Sequence, residues 1–192
     1  MIDVYNITKF DRTEKELQEF ILFCFLNHGK IAYLQAQKLE IFLQEGMKQT
    51  AKFYPFDIIR NLVEKNQLSE FTRHAKLGQY KYCVDPGFKA IAISNIDLKN
   101  CSTTALESIP GLSFKSSRYF ILHSRPDQKI AVLDRHVLRW MRENGYPNAP
   151  QNPPQNYKVY KNWEDIFLSE ATKRNLDIAH LDLEIWKEKA AR

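Results

Sequence analysis

Cysteine is scarce in this chain: of 192 residues only Cys24, Cys83 and Cys101 carry thiols. They are far apart and odd in number, which excludes a disulfide framework and matches no zinc or iron–sulfur spacing. Long apolar runs are missing as well. The longest, Phe20 to Leu26, is about one third of a membrane span. The N-terminal Met-Ile-Asp-Val-Tyr has neither the basic flank nor the cleavage site of a secretion signal. Internal repeats and low-complexity tails are absent, and strand signals are few. These absences lead to the expectation of an intracellular, soluble protein of mainly α class that is not a membrane partner. The length suits a single domain with room for two lobes, and 44% hydrophobic residues suffice for a core.

Acidic residues are also missing from one particular place. The net charge is +5. Between Lys115 and Arg142 stand seven cations, Lys115, Arg118, Arg125, Lys129, Arg135, Arg139 and Arg142, opposed only by Asp127 and Asp134. This window carries the whole positive excess of the chain. Such a patch is the footprint of phosphate contacts or, equally, a solvated helix face.

What is abundant is helical periodicity. Leu17, Phe20, Ile21, Cys24 and Phe25 predict a helix over 12–27, followed by a turn at Asn27-His28-Gly29. Ile31, Leu34, Lys38, Leu39 and Phe42 predict a second, stopping near Gly46, and the two read as a helical hairpin. Residues 53–75 suit one or two more. Gly78, Pro86 and Gly87 make 76–88 a loop or short extended piece, and Phe88 to Ile93 is ambiguous. Ser102-Thr103-Thr104-Ala105-Leu106-Glu107 is a capped helix start, closed by Pro110-Gly111. Helix resumes from about 114 to His123. Asp134 stands where an N-cap belongs, before a helix from Arg135 to Asn144 that Gly145 ends. Residues 146–156, with Pro147, Pro150, Pro153 and Pro154, form a surface loop. Helices over about 157–174 and 178–190 complete the chain.

Helix, Pro-Gly turn, helix is a compact device for holding nucleic acid. A tight turn exposes backbone N–H groups, and the next helix N-terminus adds partial positive charge, so phosphates are gripped without reading sequence. At Gly111 a side chain would obstruct the turn or the approach of the backbone. Lys115 falls in the first turn of the following helix, where a helix N-terminus, cations such as Arg118 and partial burial favour a neutral, nucleophilic amine. Asp134 lies nineteen residues further on; backbone N–H groups at a cap favour its carboxylate, which would stabilise positive charge developing on a sugar. Taken singly, the lysine also reads as a surface residue and the aspartate as a structural cap.

Together these residues resemble the helix-hairpin-helix DNA glycosylase superfamily, which includes endonuclease III and the 8-oxoguanine DNA glycosylases. The signature places an apolar residue and Pro-Gly-apolar-Gly ahead of any residue and Lys; about twenty residues on come an apolar run, Asp, any residue and His. Ile109, Pro110, Gly111, Leu112 and Lys115 match, as do Val132, Leu133, Asp134 and His136. Finer features are similar to the short prokaryotic-type 8-oxoguanine glycosylases: "LDRHVLR" over 133–139, Phe23-Cys24 before a loop, and "DLEIW" over 182–186. The resemblance spans residues 12–190, and the lack of clustered cysteines agrees with this branch, for which no cofactor and no iron–sulfur cluster are expected. One position departs: Ser113 stands where the signature has its second hairpin glycine, and serine tolerates a left-handed backbone less well.

The resemblance implies a mainly α, two-lobed fold over 1–192, with the helix-hairpin-helix at about 102–124 and the active site in the cleft between lobes. It implies a bifunctional DNA glycosylase/AP lyase that removes 8-oxoguanine from double-stranded DNA, a monomer that is cytoplasmic and DNA-associated. Lys115 matches the nucleophile and Asp134 the catalytic aspartate. His136 matches a phosphate contact, alongside Pro110, Gly111 and Ser113 of the hairpin. The extruded base would meet Trp186, by stacking, and Asp182, by a hydrogen bond; Tyr119, one turn after Lys115, lines the same pocket. Trp186 and Tyr119 each read equally as packing. His28 is the expected polar residue that fills the vacated duplex. The competing readings are a glycosylase for another damaged base and a non-catalytic helix-hairpin-helix DNA-binding module.

Overall fold

The computed structural model of the protein describes residues 1–27, 29–78 and 80–190, with backbone alone at Tyr80 and Ala190. Every regular element among them is helical. The chain divides into two compact units. One comprises Met1–Val4 and Arg12–Ser113; the other comprises Tyr5–Asp11 and Phe114–Arg192.

The first unit holds α1 (Glu14–Leu26), α2 (Ala32–Thr50), α3 (Pro55–Glu64), α4 (Leu68–His74), α5 (Asp85–Ile93) and α6 (Thr103–Glu107). A capping box starts α1: the Thr13 hydroxyl accepts from the Glu16 N–H, and the Glu16 carboxylate accepts from the Thr13 N–H. Fully buried Phe20, Phe23, Phe42 and Phe88 fill the core, with Phe88 edge-on to Phe25 and Phe42 at 5.6 and 5.7 Å. Two sequence expectations change here. α2 continues past Gly46 to Thr50, and the glycine marks a close approach of α3 instead of a helix stop: a Cβ there would lie 2.4 Å from the Ile58 side chain. The segment 76–88 is mostly not a loop: a π-helical turn, Tyr80–Val84, runs into α5. Pro86 falls in the first turn of α5, where its missing N–H costs nothing, and Phe88 and Ile91 are thereby buried. The start of α5 is tied to α4 by the Thr72 and Ser69 hydroxyls, which donate to the Asp85 carboxylate at 2.7 and 2.5 Å.

The second unit holds α7 (Phe114–Ser124), α8 (Arg135–Glu143), α9 (Tyr157–Lys173) and α10 (Ile178–Ala190). Leu133, Leu138, Met141, Phe167 and Ile185 are its buried centre. Between α7 and α8 the chain is non-helical, yet Ala131, Val132 and Leu133 are 0–2% exposed. Buried backbone without a helix or sheet must find other partners. Tyr160 and Glu164 of α9 supply them. The Tyr160 hydroxyl donates to the Ala131 carbonyl at 3.0 Å and accepts from the Leu133 N–H at 2.9 Å. The Glu164 carboxylate accepts from the Ala131 N–H at 3.0 Å. Arg118 of α7 balances that carboxylate at 2.8 Å and lies over the Tyr160 ring, 4.7 Å from its centroid. Burial holds the Tyr160 phenol far above its ordinary range, so it remains a donor.

The basic window therefore overstates the charge offered to a partner. Arg118 is 3% exposed and paired inside the core. Arg139 pairs with Glu143 at 2.9 Å, and Arg142 donates to the carbonyls of Ala149 and Pro150, bracing the proline-rich loop. Lys129 and Arg135 are exposed.

Candidate active site

Lys115 and Asp134 both lie in the second unit, and one residue of α9 braces the neighbours of both. Phe114, just before Lys115, sits edge-on to Tyr157 and Tyr160, each at 5.7 Å. Leu133, just before Asp134, donates its N–H to the same Tyr160. The half-buried Lys115 is thus held in the first turn of α7. Asp134 caps α8: its Oδ1 accepts from the His136 N–H at 2.7 Å and from the Val137 N–H at 2.9 Å. Both cap bonds fall on Oδ1, so Oδ2 takes no part in the cap.

Lys115, Tyr119 and His123 recur every fourth residue and share one face of α7. The Tyr119 ring meets the His123 ring edge-on at 4.9 Å. His123 is fully buried, and its Nε2 lies 3.0 Å from Asp182 Oδ2 of α10. Its Nδ1 lies 2.8 Å from the hydroxyl of Thr8, in the N-terminal segment that belongs to this unit. Burial pushes the Asp182 carboxyl up from its ordinary value, and the His123 hydrogen bond opposes that rise. The charge of Asp134 adds to the rise and that of Lys115 opposes it. Lys115, Asp134 and Asp182 therefore share one electrostatic neighbourhood.

Trp186, one turn after Asp182, is half-buried, with the Tyr5 ring tilted against it at 5.8 Å. His136 is half-buried in the first turn of α8. In the first unit, Ser102 caps α6 by accepting from the Ala105 N–H at 3.1 Å, and the chain turns through exposed Pro110. Gly111 has φ +90°, and a Cβ there would stand 2.9 Å from both the carbonyl oxygen and the Sγ of Cys83, so glycine is required twice over. Ser113 does not take a positive φ, so the serine carries no left-handed strain. His28 lies outside the described residues. No group of three metal-binding side chains occurs among the described residues, and no helix among them is long and apolar enough to cross a membrane.

Sequence reading missed Thr8, His123, Tyr160 and Glu164. Only His123 carried a local signal, its four-residue spacing from Lys115 and Tyr119 along α7. The others act across separations that periodicity does not report.

Comparison with known proteins brings a partial match. Over 81 residues the chain is 31% identical to a curated protein of Methanocaldococcus jannaschii, "8-oxoguanine DNA glycosylase/AP lyase". The match takes in 42% of this chain and 38% of that protein, so it spans well under half of the relative's length. No family model matches the chain, and no solved structure matches it.

Proposed function

We propose that the protein is a helix-hairpin-helix DNA glycosylase with AP lyase activity, acting on 8-oxoguanine in duplex DNA. The observation that carries the reading is the setting of Lys115 and Asp134. They are nineteen residues apart in sequence and are braced through their preceding residues by one buried tyrosine. The partial similarity to the Methanocaldococcus jannaschii glycosylase/lyase supports the same chemistry.

On this reading the target nucleotide leaves the stack. The Lys115 amine attacks C1′ of its sugar, and the N-glycosidic bond breaks with the electron pair departing on the base, which takes a proton. Asp134 stabilises the positive charge that develops at C1′ and the ring oxygen. Loss of a proton from the lysine nitrogen and opening of the sugar give a Schiff base. Removal of a C2′ proton then breaks the bond from C3′ to its phosphate. Asp182, Trp186 and Tyr119 form the base pocket. Pro110, Gly111 and Ser113 of the hairpin, with His136, hold phosphates, and His28 fills the vacated duplex.

The test is a borohydride trap on a labelled duplex with one 8-oxoguanine opposite cytosine, for the protein and for Lys115→Gln. A covalent band that vanishes in the variant is expected. A band only with a preformed abasic site would keep the chemistry and discard the lesion. No band with either duplex would overturn the bifunctional assignment.

A further inference from the structure

The N-terminal segment Tyr5–Asp11 is part of the second unit although more than a hundred residues of sequence separate it from the next part, Phe114–Arg192. Its contacts there include three specific ones. The Lys9 N–H donates to the His123 carbonyl at 3.0 Å. The Thr8 hydroxyl meets His123 Nδ1 at 2.8 Å. Tyr5 packs its ring against Trp186 at 5.8 Å. All three fall on residues at, or one bond from, the base pocket assigned above.

His123 is the joint of this arrangement. Its ring is 0% exposed, so each ring nitrogen must find a protein partner. Thr8 satisfies one and Asp182 the other. With Tyr119 edge-on to the ring, the imidazole has little freedom to rotate. The bond to Oδ2 then fixes the plane of the Asp182 carboxyl, and with it the direction in which Oδ1 is presented. Three proton arrangements satisfy the chain. Nε2–H donates to the carboxylate while Nδ1 accepts from Thr8; or an imidazolium donates from both nitrogens, to the carboxylate and to Thr8; or a protonated Asp182 donates to Nε2 while Nδ1–H donates to Thr8. A hydroxyl serves all of them because it both donates and accepts; a hydrocarbon at position 8 serves none.

We infer that Thr8 and His123 are positioning residues for base release: through them the N-terminal segment orients the Asp182 carboxyl toward the extruded base. This rests on the glycosylase reading above. It separates two steps that share Lys115. Release of an intact base needs the pocket carboxyl in place, whereas strand cleavage at a preformed abasic site has no base to hold.

The experiment compares the full-length chain with Thr8→Val, Thr8→Ser and His123→Gln. Release of 8-oxoguanine from duplex DNA is followed under single-turnover conditions, beside cleavage of a preformed abasic duplex. Thr8→Val is nearly isosteric at a half-buried position, so it keeps the fold; thermal unfolding verifies this for every variant. Base release is expected to fall about tenfold in Thr8→Val and about a hundredfold in His123→Gln, with abasic cleavage within about threefold of the parent. Thr8→Ser restores base release. Loss of both activities in proportion, loss of neither, or failure of serine to rescue would overturn the inference alone. A parent protein that releases no base and cleaves no abasic site would overturn the functional reading, and the inference with it.

Discussion

Replacing Tyr160 by Phe removes one oxygen atom and leaves the ring. The ring keeps its packing on Phe114 and Arg118. The lost hydroxyl had served two buried backbone groups, the Ala131 carbonyl and the Leu133 N–H. Bulk water does not reach these groups, because Ala131 and Leu133 are 0% exposed. A buried polar group left without a partner costs about 1–3 kcal/mol. Partial relaxation of the non-helical segment makes a total of about 2–4 kcal/mol reasonable for the pair. For a chain of this size that corresponds to a fall in Tm of roughly 4–16 °C. The same segment delivers Asp134 to the cap of α8, so base excision should fall further than stability alone requires. A displacement of about 1 Å at a reacting group costs on the order of a hundredfold in rate. Thermal unfolding followed by circular dichroism gives the first quantity, and single-turnover excision well below the variant's Tm gives the second. A stability loss under about 0.5 kcal/mol would refute the argument that Tyr160 satisfies the buried segment. Stability lost with unaltered excision would refute its role in placing Asp134.

Asp134→Asn retains a good N-cap, so its stability should stay within about 0.5 kcal/mol of the parent, while excision falls roughly a hundredfold for want of the carboxylate charge; equal activity would reduce Asp134 to a cap. Gly111→Ala should destabilise the protein by about 1–3 kcal/mol, from positive φ and from the 2.9 Å approach of Cys83, and should weaken binding to undamaged duplex in a salt titration. The raised Asp182 carboxyl predicts a pH dependence of definite sign. The folded state holds this proton more tightly than the unfolded state does. Its contribution is therefore complete below the ordinary carboxylate value of 3.8 and is lost as pH rises through the raised value. Asp182→Asn should accordingly be more stable than the parent at neutral pH, with the difference closing toward pH 4 in urea titrations; a difference that widens on acidification would reverse the sign.

Features that depend on near neighbours were legible in the order of amino acids alone. Apolar spacing and caps located α1, α6, α7 and α8, and the hydroxyl of Ser102 and the carboxylate of Asp134 were legible as caps because a cap bond spans only two or three residues. Lys115 and Asp134 stood out by order and spacing, and Gly111 by the turn it occupies. The helical start of α5 was illegible because Pro-Gly reads locally as a break; burial of Phe88 decided it. Only the tertiary structure showed that Arg118 is a core residue neutralised by Glu164, since composition counts charges without their partners. Only it brought Thr8 to His123, His123 to Asp182, and Tyr160 to Leu133, pairs separated by 115, 59 and 27 positions. Such pairs leave no periodic trace. They form because a buried imidazole and a buried stretch of backbone must be satisfied by whatever polar group the packing of α7, α9 and α10 and the N-terminal segment places within reach.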